Sequence, residues 1–284
     1  MKAILVLASV GILYGQTRAI VPEEVLQARQ QAKAAASLPK PVYHPVTSDV
    51  TGALRPGSAR QVGVTIWRLR PALASDTGAR ILIQEESTTS ELVAERVASG
   101  TSLRQGDRVR LTIESPDTGF LYVIDRERYA SGERGEPYLI FPTSRTRGGD
   151  NRVTAGRLID IPAQDDRPNF FSLRQSRPDQ TEEELTVLLT SERLPDLAIG
   201  AKPLRLTNQQ VTAWEKQWGN GKTELFELSG GAGKPWTQAE QQAAATTTRL
   251  LTQDDPPPQT IYRVAVKPGE PLMVKVSLRY SKMR

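Results

Sequence analysis

Short runs in which every second residue is apolar recur along most of this chain, with glycine, proline, aspartate or asparagine between them. That rhythm leaves few folds open, because a period of two describes a strand with one buried face and one wet face. "VGVTIWRLR" (62–70) puts Val62, Val64 and Ile66 on one side and brings Arg68 and Arg70 to the solvent edge. "RVRLTIE" (108–114) alternates Val109, Leu111 and Ile113 with Arg108, Arg110, Thr112 and Glu114. "LMVKVSLR" (272–279) sets Leu272, Val274, Val276 and Leu278 against Met273, Lys275, Ser277 and Arg279. Further short apolar runs recur at "RILIQE" (80–85), "FLYVID" (120–125), "PYLIFP" (137–142), "RLIDIP" (157–162), "NFFSL" (169–173), "LTVLLTS" (185–191) and "TIYRVAV" (260–266), with turn residues between them. Many short strands separated by turn residues predict a mainly β, antiparallel sandwich-like domain. "SPDTG" (115–119) reads as the turn of a hairpin between 108–114 and 120–125. The uniformly apolar "PYLIFP" reads as a central strand, and the last strand is expected beside Val62 to Arg70.

Two segments break the rhythm. "TNQQVTAWEKQWGNG" (207–221) has a threonine start, Val211, Trp214 and Trp218 at helical spacing, and Gly219 as a stop. "KPWTQAEQQAAATTTRLLTQ" (234–253) reads as a second helix, starting at Pro235 or Trp236 and ended by "DDPPPQ". The expected organisation is therefore a β-rich domain over 61–284, with a core at 103–191, a helical insertion at about 207–252 and closing strands at 260–280.

The N-terminus follows different rules. "MKAILVLASVGILYGQTRA" offers one lysine, an apolar run from Ala3 to Tyr14, then small and polar residues, the form of a secretory signal peptide over 1–19. The run is shorter than the ~20 helical residues that span a bilayer. Cleavage is expected after Gly15 or Ala19, which places the mature chain in the periplasm or outside the cell. Removing Lys2 and Arg18 takes two positive charges from the net +5 and leaves only a mild basic excess. The basic residues alternate with acids instead of clustering, so nucleic acid is not an expected partner; "SRTRGG" (144–149) is the single compact basic loop and reads as a solvated turn. Residues 20–60 read as a short helix and a Pro/Gly-rich linker, and no later segment is apolar enough to cross a membrane. With no cysteine, the fold rests on core burial alone.

The string most suggestive of chemistry is "GGAGKPW" (230–236). A phosphate-binding loop needs Gly, four residues, Gly-Lys, then Ser or Thr. Here Leu228 stands where the first glycine belongs and Pro235 where the hydroxyl belongs, so the string reads as a turn feeding a helix. The absence of cysteine removes thiol chemistry, and a single histidine, His44 in the linker, leaves no triad or multi-histidine metal site. Carboxylate chemistry stays open, with Asp125, Asp150, Asp160, Asp165 and Asp166 as candidates; Glu182 to Glu184 read as solvated charge beside a strand. Trp214 and Trp218, four apart, read as core before sugar platform.

Six turn and strand signals occur in a familiar order. They are Gly106-Asp107, Gly119 to Tyr122, Ile140 to Pro142, Asn151 with Ala155-Gly156, Ile161-Pro162, and Leu188 to Ser191. In that order, residues 103–191 resemble the bacterial domain-of-unknown-function family numbered 4384, with an added stretch from Tyr129 to Pro137. The resemblance implies an all-β domain, exported alone or joined to peptidase-like or kinase domains, and assigns no catalytic residue. The expectation at this point is an exported, non-catalytic interaction module whose partner is another envelope or secreted protein. A carbohydrate- or peptidoglycan-binding module and a carboxylate-based hydrolase are the alternatives. No cofactor or metal is expected.

Overall fold

The computed structural model describes residues 41–46, 59–76, 80–85, 88–115, 117–245, 250–267 and 269–281. The signal segment and the expected helix after Pro22 lie outside the described residues. The chain forms two mostly antiparallel sheets packed face to face, with one helix on the outer face of each. No helix among the described residues is long and apolar enough to cross a membrane.

The first sheet runs β1 (Tyr43–Pro45), β14 (Thr223–Leu228), β15 (Thr260–Ala265), β2 (Ala59–Pro71), β4 (Thr88–Val97), β3 (Arg80–Glu85). One edge of β2 takes β15 along its first half and β4 along its second. Its other edge takes β6 (Arg108–Glu114), which in turn pairs with β10 (Leu158–Ile161) and β11 (Phe171–Ser172). The second sheet runs β13 (Leu204–Arg205), β8 (Tyr138–Phe141), β7 (Gly119–Tyr129), β12 (Gln180–Thr190), β16 (Leu272–Tyr280), β5 (Ser102–Leu103), with β9 (Arg152–Val153) also on β7.

The alternation legible in the sequence is the one that fills the core. Val62, Val64, Val109, Leu111, Ile113, Leu121, Val123, Val187, Leu272, Val274 and Val276 are buried between the sheets. Each contributes on the order of 1.5–3 kcal/mol by leaving water.

Several expected pairings differ. β6 and β7 are not a hairpin: between Glu114 and Gly119 the chain passes from the first sheet to the second. β6 alternates because one face meets the core, whereas β7 is apolar on both faces, Leu121 and Val123 facing the core and Tyr122 and Ile124 facing the helix at Asn208–Trp218. β8 lies near the edge, beside the two-residue β13. Its residues are apolar on both faces because Leu139 is covered from outside by Leu206 and Val211. The last strand, β16, pairs with β12 in the second sheet, and β15 takes the place beside β2. A strand, β14, separates the two helices and pairs with β15 and with β1, which falls inside the expected linker.

Helix α1 (Asn208–Trp218) starts where Thr207 accepts the Gln210 N–H and stops at Gly219. It lays Val211, Trp214 and Trp218 on Tyr122, Ile124, Leu188 and Met273 of the second sheet. Helix α2 (Gln238–Ala245) starts two to three residues later than Pro235 or Trp236. Its start is set by a reciprocal cap: Thr237 Oγ1 accepts from Glu240 N (3.2 Å), and Glu240 Oε2 accepts from Thr237 N (2.7 Å).

Candidate functional site

At one end of the sandwich the inner faces change character. The inward row of β7 passes from Leu121 and Val123 to Asp125, Glu127 and Tyr129, and that of β12 passes from Leu189, Val187 and Leu185 to Glu183. A register shift between Gln180 and Glu182 adds Gln180 to this cluster, and β16 closes it with Tyr280. Glu183 Oε1 accepts from Tyr280 Oη and from Gln180 Nε2, both at 2.8 Å. Tyr129 Oη donates to Glu127 Oε2 and lies 3.3 Å from Ser176 Oγ.

Asp125 and Glu183 are neighbours whose protonation is linked, the charge of Glu183 favouring a proton on Asp125. Asp125 Oδ1 and Glu183 Oε2 have no protein donor among the described residues. Burial raises Asp125 well above the usual carboxylate range, and the charges of Glu183 and Glu127 raise it further. Burial also raises Glu183, but the donors Tyr280 and Gln180 oppose that shift. The proton therefore belongs to Asp125 and the charge to Glu183. The same burial, with Glu183 beside it, keeps the Tyr280 hydroxyl protonated.

Outside this cluster lies an open groove of about 900 Å³. Gly100 and Ser102 line it on one side, Gln175 and Asp179 on another, and Gln180 and Tyr280 form the wall shared with the carboxyls. Its rim carries Arg279 near Glu182 (3.8 Å), and Arg177 is bonded to Asp179 (2.9 Å) and Glu133 (3.0 Å). The volume suits a ligand or a short chain segment. A glycosidase holds its sugar between two carboxyls ~5–10 Å apart that face it; neither Asp125 nor Glu183 is among the residues that line the groove.

The other sequence candidates are dispersed. Asp160 lies on the outer face of the first sheet, accepting from Thr112 Oγ1 (2.6 Å) and Arg110 (3.3 Å), with its carboxyl raised by burial. Asp166 accepts the N–H groups of Arg147 and Ala163, and Asp150 that of Arg152. Asp165 is exposed. His44 is exposed on β1, with Nδ1 3.2 Å from Ser229 Oγ. Among the described residues no group of three or more His, Asp or Glu side chains is placed to hold a metal ion.

The glycine-rich string is an anchor for the first sheet. Gly233 N donates to Arg96 O (2.9 Å), Lys234 N to Gly231 O (3.2 Å) and Trp236 N to Ala94 O (2.7 Å), so the donors a phosphate would need are engaged. Trp236 is buried against Trp67. Glu183, Gln180, Tyr129 and Tyr280 were not legible as site residues. The signal they left was an inward strand position turning acidic or amide at the point where its row leaves the apolar core.

The arrangement defines a two-sheet β-sandwich with a polar groove at one end. No family model, curated protein or solved structure matches the chain.

Proposed function

We propose that this chain is an exported, non-catalytic interaction module of the bacterial cell envelope or extracellular space. In this reading the groove beside Gln180 and Tyr280 receives a segment of another envelope or secreted protein. The carrying observation is that groove: it is formed by loops and strand ends on a sheet scaffold, and both signs of charge stand on its rim. The signal-like N-terminus and the resemblance of residues 103–191 to domain family 4384 support export and a binding role.

The alternatives have less support. A glycan platform uses exposed aromatic faces, and among the described aromatics only Tyr138 is exposed, at 42%. A carboxylate hydrolase needs two carboxyls facing its substrate, and neither Asp125 nor Glu183 lines the groove.

The test is affinity purification from the source envelope fraction with the full mature chain and with Arg279→Glu and Ser102→Trp, which change groove surface without touching the core. A protein held by the parent chain and lost with both variants is the expected result. Capture that is unaffected by both, or enrichment on sedimented cell-wall glycan in place of any protein, overturns the proposal. N-terminal sequencing of the exported chain tests the compartment; an intact Met1 overturns it.

A further inference from the structure

A second pocket lies on the side of the molecule formed by β9 and the turns around it. It measures about 210 Å³, against the roughly 10–15 Å³ that admits one water. Three arginines from three segments line it: Arg147 from the turn after β8, Arg152 on β9, and Arg157 before β10. The one carboxylate in the lining is Asp150, whose Oδ1 accepts the Arg152 backbone N–H at 3.0 Å.

The frame behind these side chains is built. Asp166 accepts the Arg147 backbone N–H at 2.9 Å and the Ala163 N–H at 2.7 Å, and Thr146 O accepts from Gly149 N at 3.0 Å. Asn151 spans to β7, donating through Nδ2 to Leu121 O (3.0 Å) while its carbonyl accepts from Leu121 N (2.9 Å). Arg147 holds φ 51°, in the left-handed region that favours glycine, a conformation that persists only where surrounding contacts fix it. Arg147 Nε donates to Asp150 O at 3.3 Å, which leaves the terminal nitrogens of its fork. The Arg152 guanidinium lies 5.8 Å from the centre of the Phe120 ring, a ring that Arg193 also approaches, at 5.1 Å. Neither Arg147 nor Arg152 has a carboxylate partner among the described residues.

We infer that this pocket binds a tetrahedral dianion, a phosphate or sulfate group, through Arg147 and Arg152, with Arg157 in its lining. Arg147 and Arg152 bring two guanidiniums with no carboxylate partner among the described residues to the wall of one cavity, and an entering anion offsets their charge. A tetrahedral group offers oxygens to more than one fork at once, whereas a carboxylate occupies a single fork. The site is separate from the groove and independent of the proposed partner.

The test is an NMR titration of the full mature chain with inorganic phosphate and, separately, with sulfate, at constant ionic strength set by chloride. Saturable shifts confined to residues 147–159 are expected, and the tighter anion names the source. Arg152→Ala is expected to weaken binding about tenfold or more. Arg147→Gly, which suits the left-handed backbone and so preserves the turn, is expected to do the same. Shifts that do not saturate with either anion, or saturable binding left unchanged by both substitutions in folded variants, overturn the inference.

Discussion

The ring of Trp67, on β4's neighbour β2, lies 5.5 Å from that of Trp236, and each is capped by a buried arginine. Arg96 stands 5.1 Å from Trp67 and Arg110 5.2 Å from Trp236, so cation, ring, ring and cation follow one another across the outer face of the first sheet. Trp236→Ala empties the centre of that stack. A loss of about 3–5 kcal/mol in urea unfolding is expected, with Trp236→Phe losing less.

Arg96 is held by a carboxylate far away in sequence. Its Nε donates to Glu240 Oε1 at 2.9 Å, its Nη2 donates to Pro257 O at 2.8 Å, and both charged side chains are under 10% exposed. Glu240→Ala strands the guanidinium and also removes half of the α2 cap. We expect it to cost about 3–5 kcal/mol. The paired change Arg96→Met with Glu240→Leu should recover most of that loss in the same unfolding measurement, since it removes both charges together.

The carboxyl pair at the end of the sandwich makes stability fall with rising pH. Below about pH 4 folded and unfolded chains both hold the Asp125 proton. Between there and the raised folded-state value only the folded chain holds it, so stability declines across that window. Asp160, also raised by burial, adds the same sign. Glu215, held down to about 2 by its hydrogen bond to Arg134, acts oppositely, and only in the acid range. Asp125→Asn keeps the shape without the titrating proton. Its Tm is expected to vary less between pH 5 and 8 than the parent's, and to exceed it at pH 8. An unchanged pH slope counts against a proton held by Asp125 in the folded chain.

Helix α1 depends on its cap. Thr207 Oγ1 accepts from Gln210 N at 3.1 Å. Thr207→Ala is expected to cost about 1 kcal/mol, read as a small shift in the denaturation midpoint with an unchanged slope.

What the sequence revealed was which side of each strand is buried; what it hid was the partner. Val109, Leu111 and Ile113 show their alternation equally well whether Phe120 to Asp125 returns beside them or crosses to the other sheet, because both routes bury the same rows. β14 escaped notice because Glu224 and Glu227, which belong to a strand, are buried and acidic. Arg263 and the Ser99 N–H engage them, partners no local pattern announces. Glu183 looked like one of three solvated glutamates. Only the bulge near Gln180 and the hydroxyl of Tyr280, distant in sequence, identify it as an inward residue. Asp125 was visible as a candidate, but its neighbour on β12 was not.

The position of β16 has a consequence for synthesis. This strand sits between β12 and β5, yet it is made about eighty residues after β12, as the span from Thr190 to Leu272 shows. While the ribosome is still adding the intervening helices, the apolar row of β12 has no neighbour on that side. Until residues 272–280 are in place the second sheet is incomplete, with one edge of β12 unpaired.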